Sequence, residues 1–234
     1  MLTPRKSQDR GYFDHGWLKS YHSFSFADYH DPEHMHFGPL RVINEDFIKG
    51  GEGFPTHGHR DMEIITYPIS GAIEHKDSTG SSGVIYPYEV QKMTAGKGIL
   101  HSEFNHLKDK DTHLLQIWVL PRQKGLGPSY EQKDFRNQIE SGKPILLVSP
   151  TGAHDSLHIH QDLHLWAKQS RNGEAWEPSI KSDRLYWIQI VRGKLRAGNI
   201  LLEAGDGLSI QDEKKLEIES IENSELLFFD MAKI

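Results

Sequence analysis

Gly51-Glu-Gly-Phe-Pro-Thr-His57-Gly-His59-Arg-Asp-Met-Glu63 and Gly98-Ile-Leu-His101-Ser-Glu103-Phe-Asn105 are the two segments on which the reading of this chain turns. His57 and His59 stand two positions apart, as do His101 and Glu103. Along a β-strand, residues two apart project to the same face. Laid side by side in a barrel, the two segments bring three imidazoles and one carboxylate to one point, which makes a set of metal donors. Any single one of the 15 histidines is better read as a buried, hydrogen-bonded side chain. The set of four is different, because four unpaired polar groups inside a barrel would each carry a desolvation cost.

The surrounding sequence is β-rich. Leu40–Ile48 predicts a strand, and residues 63–69 a second, in which Pro68 favours an edge or a bulge because it has no N–H to donate. Ser70-Gly71 turns the chain, residues 72–77 return, and the Ser/Gly-rich residues 78–83 form a hairpin loop. Residues 84–93 and 114–120 continue the series. Phe24 and Phe26 alternate with serine and predict a short strand with one buried face. Pro121-Arg-Gln-Lys-Gly-Leu-Gly-Pro-Ser129 reads as a linker, and residues 130–141 as a short helix or an extended crossing segment. Further strands are expected at 145–148, 157–160, 185–191, 200–202, 208–210, 216–218 and 225–229. Short strands at near-regular spacing, separated by Gly and Pro turns and without long amphipathic helices, define an all-β sandwich or barrel.

An internal repeat is visible. Leu185-Tyr-Trp-Ile-Gln-Ile-Val-Arg-Gly193 follows the rhythm of Glu63-Ile-Ile-Thr-Tyr-Pro-Ile-Ser-Gly71, and Ala204-Gly-Asp-Gly-Leu208 that of Ala95-Gly-Lys-Gly-Ile99. Two copies of one β unit are expected, residues 1–125 and 126–234. On this alignment Ile210 and Asp212 stand where the first copy has His101 and Glu103, so metal is expected in the first copy only.

Composition narrows the function classes. With 27 Lys and Arg against 33 Asp and Glu, the net charge is −6 and no broad basic stripe is visible. Direct binding to nucleic acid is therefore not expected. There are no cysteines, which excludes disulfides and thiolate-bound zinc and leaves His and carboxylate as ligands. The first ten residues lack the apolar core of a signal peptide, and no apolar run reaches the length of a membrane span, so a cytoplasmic protein with no membrane contact is expected.

Gly51-x5-His57-x-His59-x3-Glu63 resembles the first cupin motif, and Gly98-x2-His101-x3-Asn105 the second, although Gly96 stands where many cupins have proline. His15-Gly-Trp17, His22-Ser-Phe-Ser-Phe26, Leu40-Arg-Val-Ile-Asn44, His101-Ser-Glu103 and Leu157-His-Ile-His-Gln-Asp162 narrow the resemblance to the pirin family. The resemblance covers most of the chain, from about residue 10 onward. It implies a bicupin: two face-to-face antiparallel β-barrels of jelly-roll type, with metal in the N-terminal one. It also implies ligands at His57, His59, His101 and Glu103. Glu63 competes as the fourth ligand, since ordinary cupins bind the Glu of the first motif and it shares strand parity with His57 and His59 if no bulge intervenes. Glu103 is preferred because it shares a face with His101; Glu63 then accepts a hydrogen bond from a ligating imidazole or lies at the barrel rim.

Three imidazoles and one carboxylate suit one divalent transition metal per chain, with Fe(II) the first expectation and Cu, Ni, Mn, Co or Zn the alternatives. Open coordination positions suit a chelating hydroxy-carbonyl substrate, and Glu103 is a candidate general base. The resemblance implies a quercetin 2,3-dioxygenase, opening the ring of a flavonol with dioxygen and releasing carbon monoxide. The alternative reading is a metal-dependent regulator that acts through a protein partner; a zinc-dependent isomerase is a third. Two other His-x-His pairs, His34/His36 in a loop and His158/His160, lack a converging partner pair and are read as structural. Phe24, Phe26, Phe37 and Met93 are candidates for packing on a ligand, but each is read first as core.

Overall fold

A computed structural model describes residues 1–233. Nearly all regular structure is β-strand, and the chain divides into two units. One comprises Gly11–Phe135 and Leu157–Gln161 (the first unit); the other comprises Met1–Arg10, Arg136–Ser156 and the chain from Asp162 onward (the second unit). Set beside the expected ranges 1–125 and 126–234, residues 1–10 group with the second unit, and residues 126–135 and 157–161 with the first. Among the described residues, no helix is long and apolar enough to cross a membrane.

In the first unit the larger sheet runs, in hydrogen-bonded order, Ser129–Asp134, Glu89–Thr94, Glu63–Ser70, Thr112–Val119, Leu40–Ile48, Leu18–His22 and Gly11–Asp14. The smaller runs Gly53–His59, Ile99–Asn105, Ile73–Asp77 and Ser82–Ile85. These are open sheets packed as a jelly roll, not a closed barrel. Inward-facing apolar residues fill one end, with Ile48, Ile73, Ile85 and Leu114 clustered under Leu18. Glu63–Ser70 is a central strand, so Pro68 is not at an edge; the ladder instead slips between His113 and Leu114, which face Ser70 and Pro68, and the bulge absorbs the missing donor. Phe24 and Phe26 do not form a strand. They lie in a loop held by an isolated bridge between Phe26 and Tyr29, with Phe24 buried. Residues 130–141 resolve into both expected forms, the edge strand Ser129–Asp134 and the short helix Arg136–Ile139.

The second unit repeats the plan, six strands of the larger sheet and four of the smaller matching in order. Its larger sheet includes, in order, Leu2–Arg5, Gly207–Gln211, Arg184–Arg192, Ser224–Ala232, Leu163–Ser170 and Ile145–Ser149; its smaller sheet runs Ala175–Trp176, Ile218–Ser220, Lys194–Ala197 and Ile200–Glu203. The edge place held by Ser129–Asp134 in the first unit is taken in the second by the start of the chain, paired with Gly207–Gln211. The strands Gly11–Asp14, Leu18–His22 and Ala175–Trp176 escaped the sequence reading, as did Leu2–Arg5, which carries Pro4, and Leu163–Ser170, whose alternation of buried and half-buried residues is broken late by Lys168.

The strand order also sorts the two repeat signals. Gly71 and Gly193 are true equivalents. Both have positive φ, 82° and 73°, and a Cβ at either would stand 2.4 Å from Thr112 Oγ1 or 2.2 Å from the Asn223 carbonyl oxygen. Ala204-Gly-Asp-Gly207 is not the equivalent of Ala95-Gly-Lys-Gly98. It joins Ile200–Glu203 to Gly207–Gln211, whereas the earlier turn joins Glu89–Thr94 to Ile99–Asn105. The counterpart of the His101 strand is Ile218–Ser220, so Ile210 and Asp212 are not the positions to compare with His101 and Glu103. A Gly-x-Gly turn serves any tight hairpin, which is why the local likeness misaligned the hairpins.

Candidate metal centre

Strands Gly53–His59 and Ile99–Asn105 pair antiparallel, with His101 opposite His57 and Ile99 opposite His59. Burial alternates along the second strand: Ile99, His101, Glu103 and Asn105 are buried, while Leu100 and Phe104 are exposed. His101 and Glu103 thus share the inner face, as strand parity requires. A bulge between them shifts the register, so that Glu103 faces Phe54 on one side and His75 of strand Ile73–Asp77 on the other.

The three expected imidazoles meet. Ring centroids lie 4.4 Å apart for His57 and His101, and 4.8 Å apart for both His57–His59 and His59–His101. The hydrogen bonds behind the rings set their tautomers. His57 Nδ1–H donates to the Pro55 carbonyl at 2.8 Å, leaving its Nε2 as a lone pair. Behind His101, His75 Nε2–H donates to Asp77 at 2.9 Å, and His101 Nδ1–H donates to His75 Nδ1 at 3.4 Å. The remaining His101 Nε2 therefore also carries a lone pair, and it stands 3.0 Å from that of His57. Two facing lone pairs repel unless a cation lies beside both. Two nitrogens each about 2.1 Å from one ion and at a right angle stand about 3.0 Å apart, so the donor set fits a divalent metal. Burial, reinforced by the neighbouring imidazoles, pulls the pKa of His59 down to about 4 and that of His101 down to about 3. Both are neutral near pH 7, as ligands must be.

Glu103 lies beside His101 but not in the same cluster as His57 and His59. Its carboxylate groups instead with His101 and His75, whose donor atoms lie within 4.8 Å of one another. Gln116 Nε2–H donates to its two oxygens at 2.8 and 2.7 Å, and the Thr66 hydroxyl to one at 3.3 Å. Below them, burial and the charges of Glu103 and Glu45 raise Asp46 to about 7, against the donated Ser20 hydroxyl bond. His75 was not singled out by sequence reading. Its signal was present, since His75 and Asp77 alternate on a returning strand, but its place opposite Glu103 is set by pairing across 28 residues of chain. Tyr130 stacks on it at 4.7 Å.

Glu63 takes a different role from either expectation. It is fully buried, accepts a hydrogen bond from the Thr94 hydroxyl at 3.0 Å, and lies 3.7 Å from the ammonium of Lys92. It therefore serves no ligating imidazole and does not stand at a rim. Parity fails because the chain leaves the smaller sheet at His59, turns through Asp61 at φ 49°, and enters the larger sheet at Glu63. Lys92 is also fully buried and lies 3.2 Å from Glu131.

The other pairs make local bonds. His34 Nδ1 pairs with Asp31 at 2.8 Å, and His36 Nδ1–H donates to the Gly38 carbonyl at 3.0 Å. His158 and His160 stack edge to face at 4.5 Å. Of the apolar candidates, Phe26 packs edge-on against Trp118, which packs edge-on against His59. Met93 is core beside Ile64 and Ile99, and Phe37 bridges to Leu40.

Residues 4–119 match the Pirin family model, and residues 146–231 match the model of the quercetinase C-terminal cupin domain. The quercetin 2,3-dioxygenase of Escherichia coli is 42% identical over the whole of both chains. The chain belongs to the pirin family. A pirin-like protein of Caulobacter vibrioides is 40% identical over 99% of this chain and 100% of its own. The bacterial pirin YhhW of E. coli, solved in complex with nickel(II), superposes with a TM-score of 0.96 at 41% identity, each chain covered in full. The fold is thus the pirin bicupin, and the histidine cluster lies in the part of this pirin that matches the Pirin model.

Proposed function

We propose that this pirin is a metal-dependent dioxygenase of the quercetin 2,3-dioxygenase type, acting on a flavonol-like substrate. The carrying observation is the pair of opposed Nε2 lone pairs of His57 and His101, fixed from behind by Pro55 and by the His75–Asp77 couple. His57, His59 and His101 would hold one divalent transition metal, with Glu103 as the fourth donor. The names of the E. coli relative and the nickel complex of YhhW support this reading. When bound, the metal supplies the Lewis acidity that acidifies a chelated hydroxyl and the redox activity that reaction with dioxygen needs.

The chain's own residues account for the rest. Glu103 is the proton acceptor: a flavonol hydroxyl at the site gives its proton to a carboxylate oxygen. Gln116 and Thr66 donate hydrogen bonds to that carboxylate and hold its position; loosening these bonds frees it to take the proton. Trp118, backed by Phe26, fixes the His59 ring and adds an apolar wall. His75 and Asp77 hold His101 in the tautomer that presents Nε2.

The test is quercetin turnover by protein loaded in turn with iron, nickel, copper, manganese, cobalt or zinc, with and without oxygen. The expected result is oxygen-dependent loss of the flavonol absorption band with release of carbon monoxide, abolished in His101→Ala. No oxygen-dependent loss with any redox-active metal overturns the proposal.

A further inference from the structure

The second unit carries a cavity of about 590 Å³ that opens to solvent past Ser179 and Lys181, within the range of small-molecule sites. Its floor is built by register. Across three neighbouring strands of the larger sheet, Trp166 pairs with Phe228 and His164 with Asp230, while Tyr186 pairs with Asp230 from the other side. Trp176, on the strand that corresponds to the His57/His59 strand of the first unit, closes one wall and meets Phe228 edge to face at 5.4 Å. Tyr186 lies nearly parallel to Phe228 at 5.5 Å. The place that holds imidazoles in one unit is an aromatic slot in the other.

The polar groups at the slot are mutually balanced. Arg184 makes a two-pronged bond with Asp162 at 3.0 and 3.2 Å and a further ion pair with Asp230, and Lys181 adds one positive charge. With Asp183 also acting on Tyr186, cations and carboxylates are nearly balanced, so the slot has little net charge with which to attract an ion. The Tyr186 hydroxyl accepts the Lys181 N–H at 2.7 Å and keeps its own proton to donate. Apolar ring faces beside paired acceptors and a free O–H donor match a flat, uncharged ring bearing hydroxyl groups.

We infer that the second unit carries a metal-independent binding site for a planar, neutral phenolic compound, seated in this cavity along Trp166 and Trp176, with the buried Phe228 and Tyr186 at its base. The site stands apart from the oxidation proposed for the first unit and is read without turnover.

The experiment is calorimetric titration of the full-length, chelator-treated protein with apigenin, a trihydroxylated flavone, with choline and benzoate as charged comparisons. The expected result is saturable binding of apigenin, weak or absent binding of the two ions, and unchanged apigenin affinity in His57→Ala/His101→Ala. Trp176→Ala weakens binding about tenfold or more. Ser179→Trp, at an exposed wall position where folding is not at stake, fills the mouth and abolishes binding. The inference is overturned by any of four results: no saturable binding to the metal-free protein, tighter binding of choline or benzoate, unchanged affinity in Ser179→Trp, or loss of binding in the double histidine variant, which would put the flavone in the first unit.

Discussion

Across the inner face of the larger sheet, the first unit carries Asn44, Gln116 and Thr66 side by side on three strands. Counted back from the equivalent glycines Gly71 and Gly193, the same row in the second unit is Trp166, Phe228 and Ile188. The polar row donates to Glu103 and keeps a carboxylate next to His101. The aromatic row donates nothing and leaves a slot beside it. One backbone plan therefore carries two different sites, and the difference lies in a few inward positions rather than in the strands.

Exchanging these chemistries is the sharpest way to break the comparison. Phe228→Gln places an amide among Trp176, Tyr186 and Ile188 and removes a buried ring. It should cost about 3–5 kcal/mol of stability, read as a lowered urea midpoint. A cost under about 1 kcal/mol would mean that the row is not core. The equivalent glycines come next. Gly71→Ala and Gly193→Ala should each destabilise by about 2 kcal/mol or more, because both φ and the close backbone approach oppose a Cβ. If one tolerates alanine and the other does not, the two turns are not equivalents. Gln116→Leu removes two hydrogen bonds to a buried carboxylate and should cost roughly 1.5–3 kcal/mol in the metal-free protein. The cost should shrink when metal is present and Glu103 gains a cation; no such recovery would separate Glu103 from the metal.

Asp46 gives a smaller, pH-dependent effect that the second unit lacks at the matching place, since Asp46 is two residues beyond Asn44 and its counterpart two beyond Trp166 is Lys168. Its carboxyl is raised to about 7 in the fold from 3.8. The folded chain therefore holds a proton that the unfolded chain has released, and this contribution, complete below about pH 4, is lost as pH rises toward 7. Glu63, raised by its burial, acts in the same direction. In metal-free protein, Asp46→Asn should flatten the decline in stability between pH 4 and 7 without abolishing it. An unchanged slope in urea titrations across that range would show that Asp46 is ionised in the fold.

Local features of the site were legible in the sequence. Strand parity placed His57 with His59 and His101 with Glu103, because alternation needs only the residues of one strand. What escaped was set by pairing. Gln116 is 13 residues from Glu103 and His75 is 26 from His101, and neither spacing signals a contact until the strands are ordered. Glu63 was read by parity across a turn that changes sheets. The repeat was legible where a strand and its glycine recurred together, as at Gly71 and Gly193. It misled where only a Gly-x-Gly turn recurred.

The central claim is that metal is held by the first unit through His57, His59 and His101, with Glu103 rather than Glu63 as the carboxylate. Metal content of untagged protein purified without chelators tests it most directly. The account predicts one ion per chain in the parent, nearly none in His101→Ala or Glu103→Ala, and most of it retained in Glu63→Ala. Full occupancy in His101→Ala, or loss in Glu63→Ala with retention in Glu103→Ala, would contradict it.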